Sequence, residues 1–386
     1  MFRPSRFHEL LQFLPRSTFE AYATQCGAHK HVKRFSPWHH LLSMLFAQLC
    51  GTSSLRELQS AFNAQAHQHY HLGVGQIKRS TLADANATRT QHVFELALKG
   101  LLGAVNRKTR QSVRDVLYLL DSTPIPLQGP QFDHWTQANR IPRTQGLKVH
   151  VLLDGQENVP HWIDITAPNV NDLSAALALD IHSGARYVFD KGYCDYSWWH
   201  RIDQQGAWFV TRLKHNARVS ELKVRQPSGS AEIICDEDIL LSNKRPGGGR
   251  INPWNKPLRR ITVKRPETDK PLVLVSNDLH SSAEQIAQQY KARWGIELFF
   301  KWVKQHLKIK RFLGTSPQAV RTQLLTAIIA YLLVWLLHKA KNVSVSLWMF
   351  LVELRHALFE RPELSERRRR RQDAKHLHDD QMGLAL

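Results

Sequence analysis

The sequence predicts a mixed α/β protein in which a helical N-terminal region precedes a sheet flanked by helices. Up to about residue 110, the apolar residues recur at helical spacing. From about residue 114, short alternating apolar runs take over, and helical segments lie between them. The chain has 386 residues, of which 42 % are hydrophobic, so two or three domains with apolar cores are expected.

The N-terminal region, residues 1–110, is predicted to contain several short helices. Ser36 and Pro37 form a helix start, because Ser caps the first turn and Pro fits the first helical position. Two more helices start at Leu55 and Ser80. This pattern resembles a helix-turn-helix-like DNA-binding module, and a plain helical bundle explains it equally well. The basic residues near the third helix are Lys78, Arg79 and Arg89.

A mixed sheet is predicted for residues 111–212, where strands and helices follow one another. The predicted strands are Val116–Leu120, Leu147–Leu153, Val159–Thr166, Tyr187–Phe189 and Ala207–Arg212. Residues 213–270 carry basic alternating runs and a Gly-Gly-Gly turn, which indicates a β-rich insertion. Residues 271–315 return to the sheet domain with one more strand and a helix over 283–306. A helical C-terminal region, 316–386, ends in a basic tail.

The charge balance indicates a polyanionic partner. Lys and Arg outnumber Asp and Glu by 53 to 33, which gives a net charge of +20. Nucleic acid is the first candidate, and an acidic membrane surface is the second. The block Arg367–Arg371 is typical of a solvated tail, with weak phosphate contact as a secondary effect.

Other features argue against a membrane protein and against a secreted one. The longest apolar run, Leu324–Leu337, is too short to span a bilayer and indicates a buried helix. The four cysteines are scattered without a CxxC pair, which fits a reduced cytoplasm and excludes a disulfide framework or a zinc site of the usual spacing.

The segment from residue 290 to 304 has the pattern Y-x2-R-x3-E-x6-K. On one helix, Tyr290, Arg293, Glu297 and Lys304 share a face, because they are separated by three, four and seven residues. A carboxylate held among basic groups in this way can bind a divalent metal while its neighbours bind phosphates. The alternative is an ordinary amphipathic helix with an internal ion pair.

Three acidic residues stand at positions where they can converge. Asp121 ends the first predicted strand, Asp190 ends the fourth, and Glu297 lies on the helix after the insertion. Clustered carboxylates repel each other unless cations lie between them. Two Mg²⁺ or Mn²⁺ ions, about 3.5–4 Å apart, serve phosphoryl transfer in sites of this kind. Taken singly, each Asp is also explained as the start of a turn.

Together these residues resemble the DDE transposases of bacterial insertion sequences. Asp121 follows Leu-Tyr-Leu-Leu, Asp190 lies in Phe-Asp-Lys-Gly-Tyr, and the Y-R-E-K pattern is the hallmark of the IS-four family. The resemblance covers residues of about 115–312. It implies a ribonuclease-H-like catalytic domain that a β-rich insertion interrupts between Asp190 and Glu297.

The resemblance also implies a function and its site. Such a protein binds the terminal inverted repeats of its element, cleaves the DNA ends and joins them to target DNA with Mg²⁺, for which Mn²⁺ can substitute. It works in the bacterial cytoplasm at the nucleoid, as a homodimer on DNA. The implied catalytic metal ligands are Asp121, Asp190 and Glu297, and the implied DNA contacts are Tyr290, Arg293, Trp294 and Lys304. The alternatives are a structure-specific nuclease on the same fold and a non-catalytic DNA-binding protein.

Overall fold

A computed structural model describes residues 5–30, 32–109, 116–136, 145–225, 230–243, 251–265, 268–307, 309 and 311–361. Its helices are α1 (Arg6–Leu11), α2 (Arg16–Gln25), α3 (Pro37–Cys50), α4 (Leu55–Ala64), α5 (Arg79–Thr88), α6 (His92–Thr109), α7 (Pro130–Asp133), α8 (Asp172–Ala176), α9 (Tyr196–Gln204), α10 (Ala283–Ala292), α11 (Trp294–His306), α12 (Pro317–Lys341) and α13 (Leu347–His356). Its strands are β1 (Leu117–Pro126), β2 (Gly146–Asp154), β3 (Val159–Thr166), β4 (Arg186–Phe189), β5 (Trp208–Arg212), β6 (Val219–Val224), β7 (Ile233–Leu241), β8 (Leu258–Arg265) and β9 (Thr268–Ser276).

The described residues divide into two compact units. A helical unit is formed from residues within 1–105 and 302–361, and a sheet unit from residues within 106–301. The sequence had placed 271–315 with the sheet and 316–386 in a region of their own. In the compact units, α12 and α13 instead group with the N-terminal helices, because α12 packs against α1, α3, α5 and α13.

The helical unit is built around α12. This helix is apolar on all sides, and its residues from Val320 to Leu337 are buried, with the exception of the half-buried Arg321. Its length and composition would allow it to cross a membrane, but 94 % of its most apolar stretch is buried inside the protein. The buried helix predicted for Leu324–Leu337 is therefore confirmed.

The predicted start of α3 is also confirmed. The Ser36 hydroxyl accepts a hydrogen bond from the His39 N–H at 3.2 Å, and Pro37 occupies the first turn. Gly51 ends the helix in the left-handed conformation, at φ 68°. Nearby, Arg89 donates to the carbonyls of Phe35 and Ser36, so its guanidinium serves the fold of this unit.

The predicted mixed sheet is confirmed, and within the described residues it contains nine strands. Their order is β3-β2-β1-β4-β5-β9-β8-β7-β6. β4 pairs in parallel with β1 and β5, and the other neighbours are antiparallel. The region predicted as a β-rich insertion supplies β6, β7 and β8, and these strands continue the same sheet through β9.

An aromatic core fixes the end of β4. Phe189, the last residue of β4, packs against Trp198 at a ring distance of 4.6 Å, and Trp199 packs against Phe209 of β5 at 4.9 Å. All four side chains are fully buried. Because neighbouring residues of a strand point to opposite faces, the next residue, Asp190, is directed away from this core.

Two elements near the predicted site differ from the sequence-based expectation. Asp121 does not end β1, since the pairing with β2 continues to Pro126, although the pairing with β4 ends at Leu120. The predicted helix 283–306 is interrupted at Arg293. The Arg293 N–H bonds to the Tyr290 carbonyl and the Ile296 N–H to the Arg293 carbonyl, both at 3.1 Å, so one tightened turn separates α10 from α11.

Candidate active site

Asp121 and Asp190 lie side by side at one edge of the sheet. Leu120 of β1 is paired with Phe189 of β4, and each Asp is the next residue in the chain. The two strands are parallel, so their carboxyl ends meet at the same edge. This convergence is the arrangement that the sequence predicted for the two residues.

Glu297 joins them through an arginine. Arg293 donates from Nη1 to Asp121 Oδ2 at 3.0 Å and from Nη2 to Glu297 Oε1 at 2.6 Å. The Arg293 side chain is only 17 % exposed. The tight turn at Arg293 thus brings the strand acid and the helix acid onto one guanidinium.

Asp190 has its own cationic partner, Arg212. The Arg212 Nε donates to Asp190 Oδ1 at 2.7 Å, and the Tyr290 hydroxyl lies 3.5 Å from the same oxygen. Arg212 ends β5, the parallel neighbour of β4. The sequence analysis missed this residue, although the rule that picked out the two Asp at strand ends applies to it as well.

The two strand acids differ in their electrostatics. Burial raises the pKa of Asp121 to about 6, although the Ser122 N–H and the charge of Arg293 act to lower this pKa. Burial would also raise the pKa of Asp190, but the Lys191 N–H and Arg212 hold this pKa below its usual value. Asp190 therefore carries its negative charge more readily than Asp121 does.

The pKa of Arg293 reflects the same network. Burial acts to lower this pKa, but the hydrogen bond to Glu297 and the charge of Asp121 raise it above the usual arginine value. Burial raises the pKa of the Tyr290 hydroxyl, so this group remains a proton donor. Arg293 is therefore a permanent cation between two carboxylates.

The remaining predicted residues lie on α11. Trp294, the first residue of the helix, has 60 % of its surface exposed. Lys304 lies seven residues after Glu297, belongs to the helical unit and is half-buried. Contacts with Arg293 and Tyr290 thus connect the three acids Asp121, Asp190 and Glu297 to these two residues. Trp294, in contrast, exposes its ring to solvent.

Asp121, Asp190 and Glu297 offer carboxylate oxygens, which are the ligands that hard divalent cations prefer. In the part of the chain that the structure describes, no three acidic, His or Cys side chains lie close enough to share one ion. The guanidinium of Arg293 lies between Asp121 and Glu297 instead, and that of Arg212 neutralises Asp190. Each of the three carboxylates is thus paired with a guanidinium group.

Two family models and several known proteins match this chain. A family model described as a transposase DDE domain matches residues 113–333, and one described as a domain of unknown function (DUF4372) matches residues 3–75. A putative transposase, y4zB, of Sinorhizobium fredii is 41 % identical over 74 % of this chain and 78 % of its own.

More distant proteins match over most of the chain. The probable transposase of insertion sequence element IS5377 from Geobacillus stearothermophilus is 28 % identical over 72 % of this chain and 73 % of its own. A cryo-EM structure of a piggyBac transposase synaptic complex with hairpin DNA aligns with a TM-score of 0.49 and 10 % identity, over 94 % of this chain and 81 % of that one. The family model and the S. fredii relative confirm the resemblance that the three acids and the Y-R-E-K pattern indicated, and the chain belongs to the DDE transposases of insertion sequences.

Proposed function

We propose that this transposase binds the terminal inverted repeats of its element, cleaves the DNA ends and joins them to target DNA, with Asp121, Asp190 and Glu297 as its catalytic metal ligands. The convergence of these acids from β1, β4 and α11 around Arg293 carries the proposal. Within the sheet, we assign strands β1 to β5 to a ribonuclease-H-like fold. Its support is the order β3-β2-β1-β4-β5, with two antiparallel pairs followed by two parallel pairs.

The three carboxylates are assigned the task of holding Mg²⁺, for which Mn²⁺ can substitute. A bound pair of ions would activate the attacking water or 3′-hydroxyl and stabilise the leaving oxygen. Asp121 and Asp190 bind from adjacent strands, so the sheet fixes their separation. Glu297 binds from α11, where the tight turn at Arg293 sets its position.

The basic residues of the site are assigned to the DNA backbone. Arg293 and Arg212 are close enough to the acids to hold a phosphate that is presented for attack, since guanidinium groups bind phosphate oxygens in pairs. Tyr290 donates a hydrogen bond at the same place, and Lys304 is assigned to the DNA backbone as well. Trp294 is assigned to stack on an unpaired base, in keeping with its exposed ring.

Two copies of the chain are proposed to act together on DNA. An element has two ends, and each chain supplies one set of three acids, so a homodimer on paired ends provides one site for each end. Assembly is placed in the cytoplasm, at the nucleoid. The basic block Arg367–Arg371, which lies outside the described residues, is assigned weak contacts with phosphates.

One experiment separates the transposase from its two alternatives. The purified protein is incubated with DNA that carries the element's end, with and without Mg²⁺, and cleavage and joining are both assayed. We expect both reactions, and both should require the metal. Cleavage without joining would indicate a structure-specific nuclease, and binding without cleavage would indicate a non-catalytic DNA-binding protein.

The affinity for DNA ends should fall steeply with salt. A net charge of +20 implies many phosphate contacts, each of which releases counterions. With about six contacts, the affinity should drop roughly a thousandfold between about 50 and 200 mM salt, as measured by fluorescence anisotropy. Replacing Arg367–Arg371 by Gln is the comparison, and it should weaken binding to random DNA more than binding to ends. An affinity that does not change with salt would contradict the proposed phosphate contacts.

The N-terminal helices are proposed to recognise the ends. Lys78 and Arg79 are exposed at the start of α5. In the full-length protein, replacing both by Ala should weaken end binding and reduce its salt slope by about one for each phosphate that the variant no longer binds. The control is Lys30→Ala, an exposed lysine outside α4 and α5. An equal loss on end DNA and random DNA would place the recognition elsewhere, for example in strands β6 to β8.

A further inference from the structure

A fourth carboxylate, that of Asp172, lies behind the strand that carries Asp121. Asp172 is the first residue of α8, and its Oδ1 accepts a hydrogen bond from the Ser122 hydroxyl at 2.7 Å. The same oxygen accepts from Lys148 Nζ at 3.2 Å. His150, which is directly opposite Ser122 on β2, places its Nδ1 3.6 Å from it. We call these four residues the Asp172 cluster.

The Asp172 cluster is linked to Asp121 through Ser122. The Ser122 N–H donates to Asp121 Oδ1 at 2.8 Å, while the Ser122 hydroxyl donates to Asp172. Because successive side chains of a strand alternate, the Ser122 hydroxyl lies on the other face of the sheet from the Asp121 carboxylate. Ser122 is thus held between two carboxylates, because its backbone N–H donates to Asp121 and its hydroxyl donates to Asp172.

The link lies where β1 loses one of its two neighbouring strands. The pairing of β1 with β4 ends at Leu120, so the segment that carries Asp121 and Ser122 is paired with β2 alone. Asp172 also reaches toward the other acid. Its Oδ2 lies 3.7 Å from the point where a Cβ on Gly192 would stand, and Gly192 follows Asp190 by two residues. Asp172 therefore lies between the segments that carry the two strand acids.

The carboxylate of Asp172 has little freedom to move. Its side chain is 29 % exposed, that of Lys148 is 14 % exposed, and that of His150 is fully buried. Lys148 is itself held by a second hydrogen bond, to the Val170 carbonyl at 2.8 Å. A charged hydrogen bond in such surroundings has little freedom to rearrange.

We propose that Asp172 is a positioning residue of the transposase reaction, which fixes Ser122 and, through the Ser122 N–H, the carboxylate of Asp121. This inference rests on the proposed function of Asp121 as a metal ligand. Groups that orient metal ligands from behind are worth about 10–100-fold in metal affinity or activity when they are removed. Asp172 itself touches neither the DNA nor the metal in this proposal.

The test uses the full-length protein and the variants Asp172→Ala, Ser122→Ala and the double variant. Binding of Mn²⁺ without DNA is measured by electron paramagnetic resonance, and cleavage of end DNA is measured against Mg²⁺ concentration. Each single variant should weaken Mn²⁺ binding about 10–100-fold and raise the Mg²⁺ needed for half-maximal cleavage. The double variant should lose no more than the worse single variant, because both changes break the same link.

Two control variants separate positioning from mere structural support. Ser122→Thr keeps the hydroxyl and should restore Mn²⁺ binding to within about threefold of wild type, since the hydrogen bond can re-form. Asp154→Ala removes a different carboxylate of the sheet, at the end of β2, which accepts hydrogen bonds from the Gln156 and Glu157 N–H groups at 2.9 and 3.0 Å. It should lower the melting temperature about as much as Asp172→Ala does, with Mn²⁺ affinity close to wild type.

The outcomes that overturn the inference are distinct from those that overturn the proposed function. Wild-type Mn²⁺ affinity in Asp172→Ala, additive losses in the double variant, or an equal loss of Mn²⁺ binding in Asp154→Ala would each refute the positioning role. Asp121→Asn is measured in the same assays. If Asp121→Asn cleaves and binds Mn²⁺ normally, the proposed metal site fails. If it is inactive while Asp172→Ala behaves as wild type, only the role of Asp172 fails.

Discussion

Replacing Asp121 or Asp190 by Asn is expected to abolish strand cleavage and to leave the binding of end DNA within a few-fold of wild type. A neutral amide lacks the charge that holds a divalent cation. A loss of about 4 kcal/mol of transition-state stabilisation corresponds to a rate reduction of roughly a thousandfold. The measurement is single-turnover cleavage of end DNA in Mg²⁺, next to an affinity measurement on the same DNA.

The fold is expected to survive both replacements. Asn has nearly the shape of Asp, and in Asp121→Asn the guanidinium of Arg293 keeps Glu297 as its partner. A matched control is Asp164→Asn on β3, whose carboxylate accepts a hydrogen bond from the Ile165 N–H at 2.8 Å. This control should cleave at the wild-type rate. An Asp121 or Asp190 variant that also cleaves at that rate would be excluded from the site.

The positions of the two Asp directly after apolar runs were predictable from sequence because they depend on local rules, whereas their convergence also requires β1 to pair with β4. Apolar runs define β1 and β4, each run is followed by an Asp, and the ends of parallel neighbours meet. The buried helix α12 was predictable for a similar reason, since a long apolar run without charge must be covered. Both predictions need only the order of residue types along one segment.

Other features depend on pairings between distant segments and were missed. Arg212 also stands at the end of a strand, but it is one of 53 basic residues, and only the pairing of β5 with β4 brings its guanidinium onto Asp190. The interruption at Arg293 is invisible in the helical periodicity. At this interruption, Arg293 forms two ion pairs. One is with Asp121, which lies 172 residues earlier in the chain, and the other is with Glu297.

The Asp172 cluster shows the same limit within the site. Asn171 caps α8, because its side chain accepts a hydrogen bond from the Leu173 N–H two residues later. The contact of Asp172 with Ser122 spans 50 residues and requires β1 and β2 to be in register. The cap of α8 is therefore a local feature, whereas the neighbours of the Asp172 carboxylate come from distant segments.

Glu297→Gln should stop both cleavage and joining, because the same metal site is proposed to serve both steps in turn. Gln keeps an oxygen that can accept from Arg293, so the loss reports on the negative charge and not on the hydrogen bond. We expect a rate reduction of roughly a thousandfold for each step, measured with uncut ends for cleavage and with pre-cut ends for joining.

Arg293→Ala provides the contrast that assigns the roles of Glu297 and Arg293. It removes the cation between Asp121 and Glu297, so the two carboxylates should bind Mn²⁺ at least as tightly as in wild type, since like charges favour a cation between them. The rate on DNA should still fall about a hundredfold, because the binding of the phosphate is weakened.

Lys304→Ala should slow the reaction in the same way, and Lys291→Ala, at an exposed lysine of α10, is the control. Titrating Mg²⁺ and Mn²⁺ against each variant distinguishes these roles. If Arg293→Ala lost its response to metal while Glu297→Gln kept full cleavage, the assignment of Glu297 as the third metal ligand would be wrong.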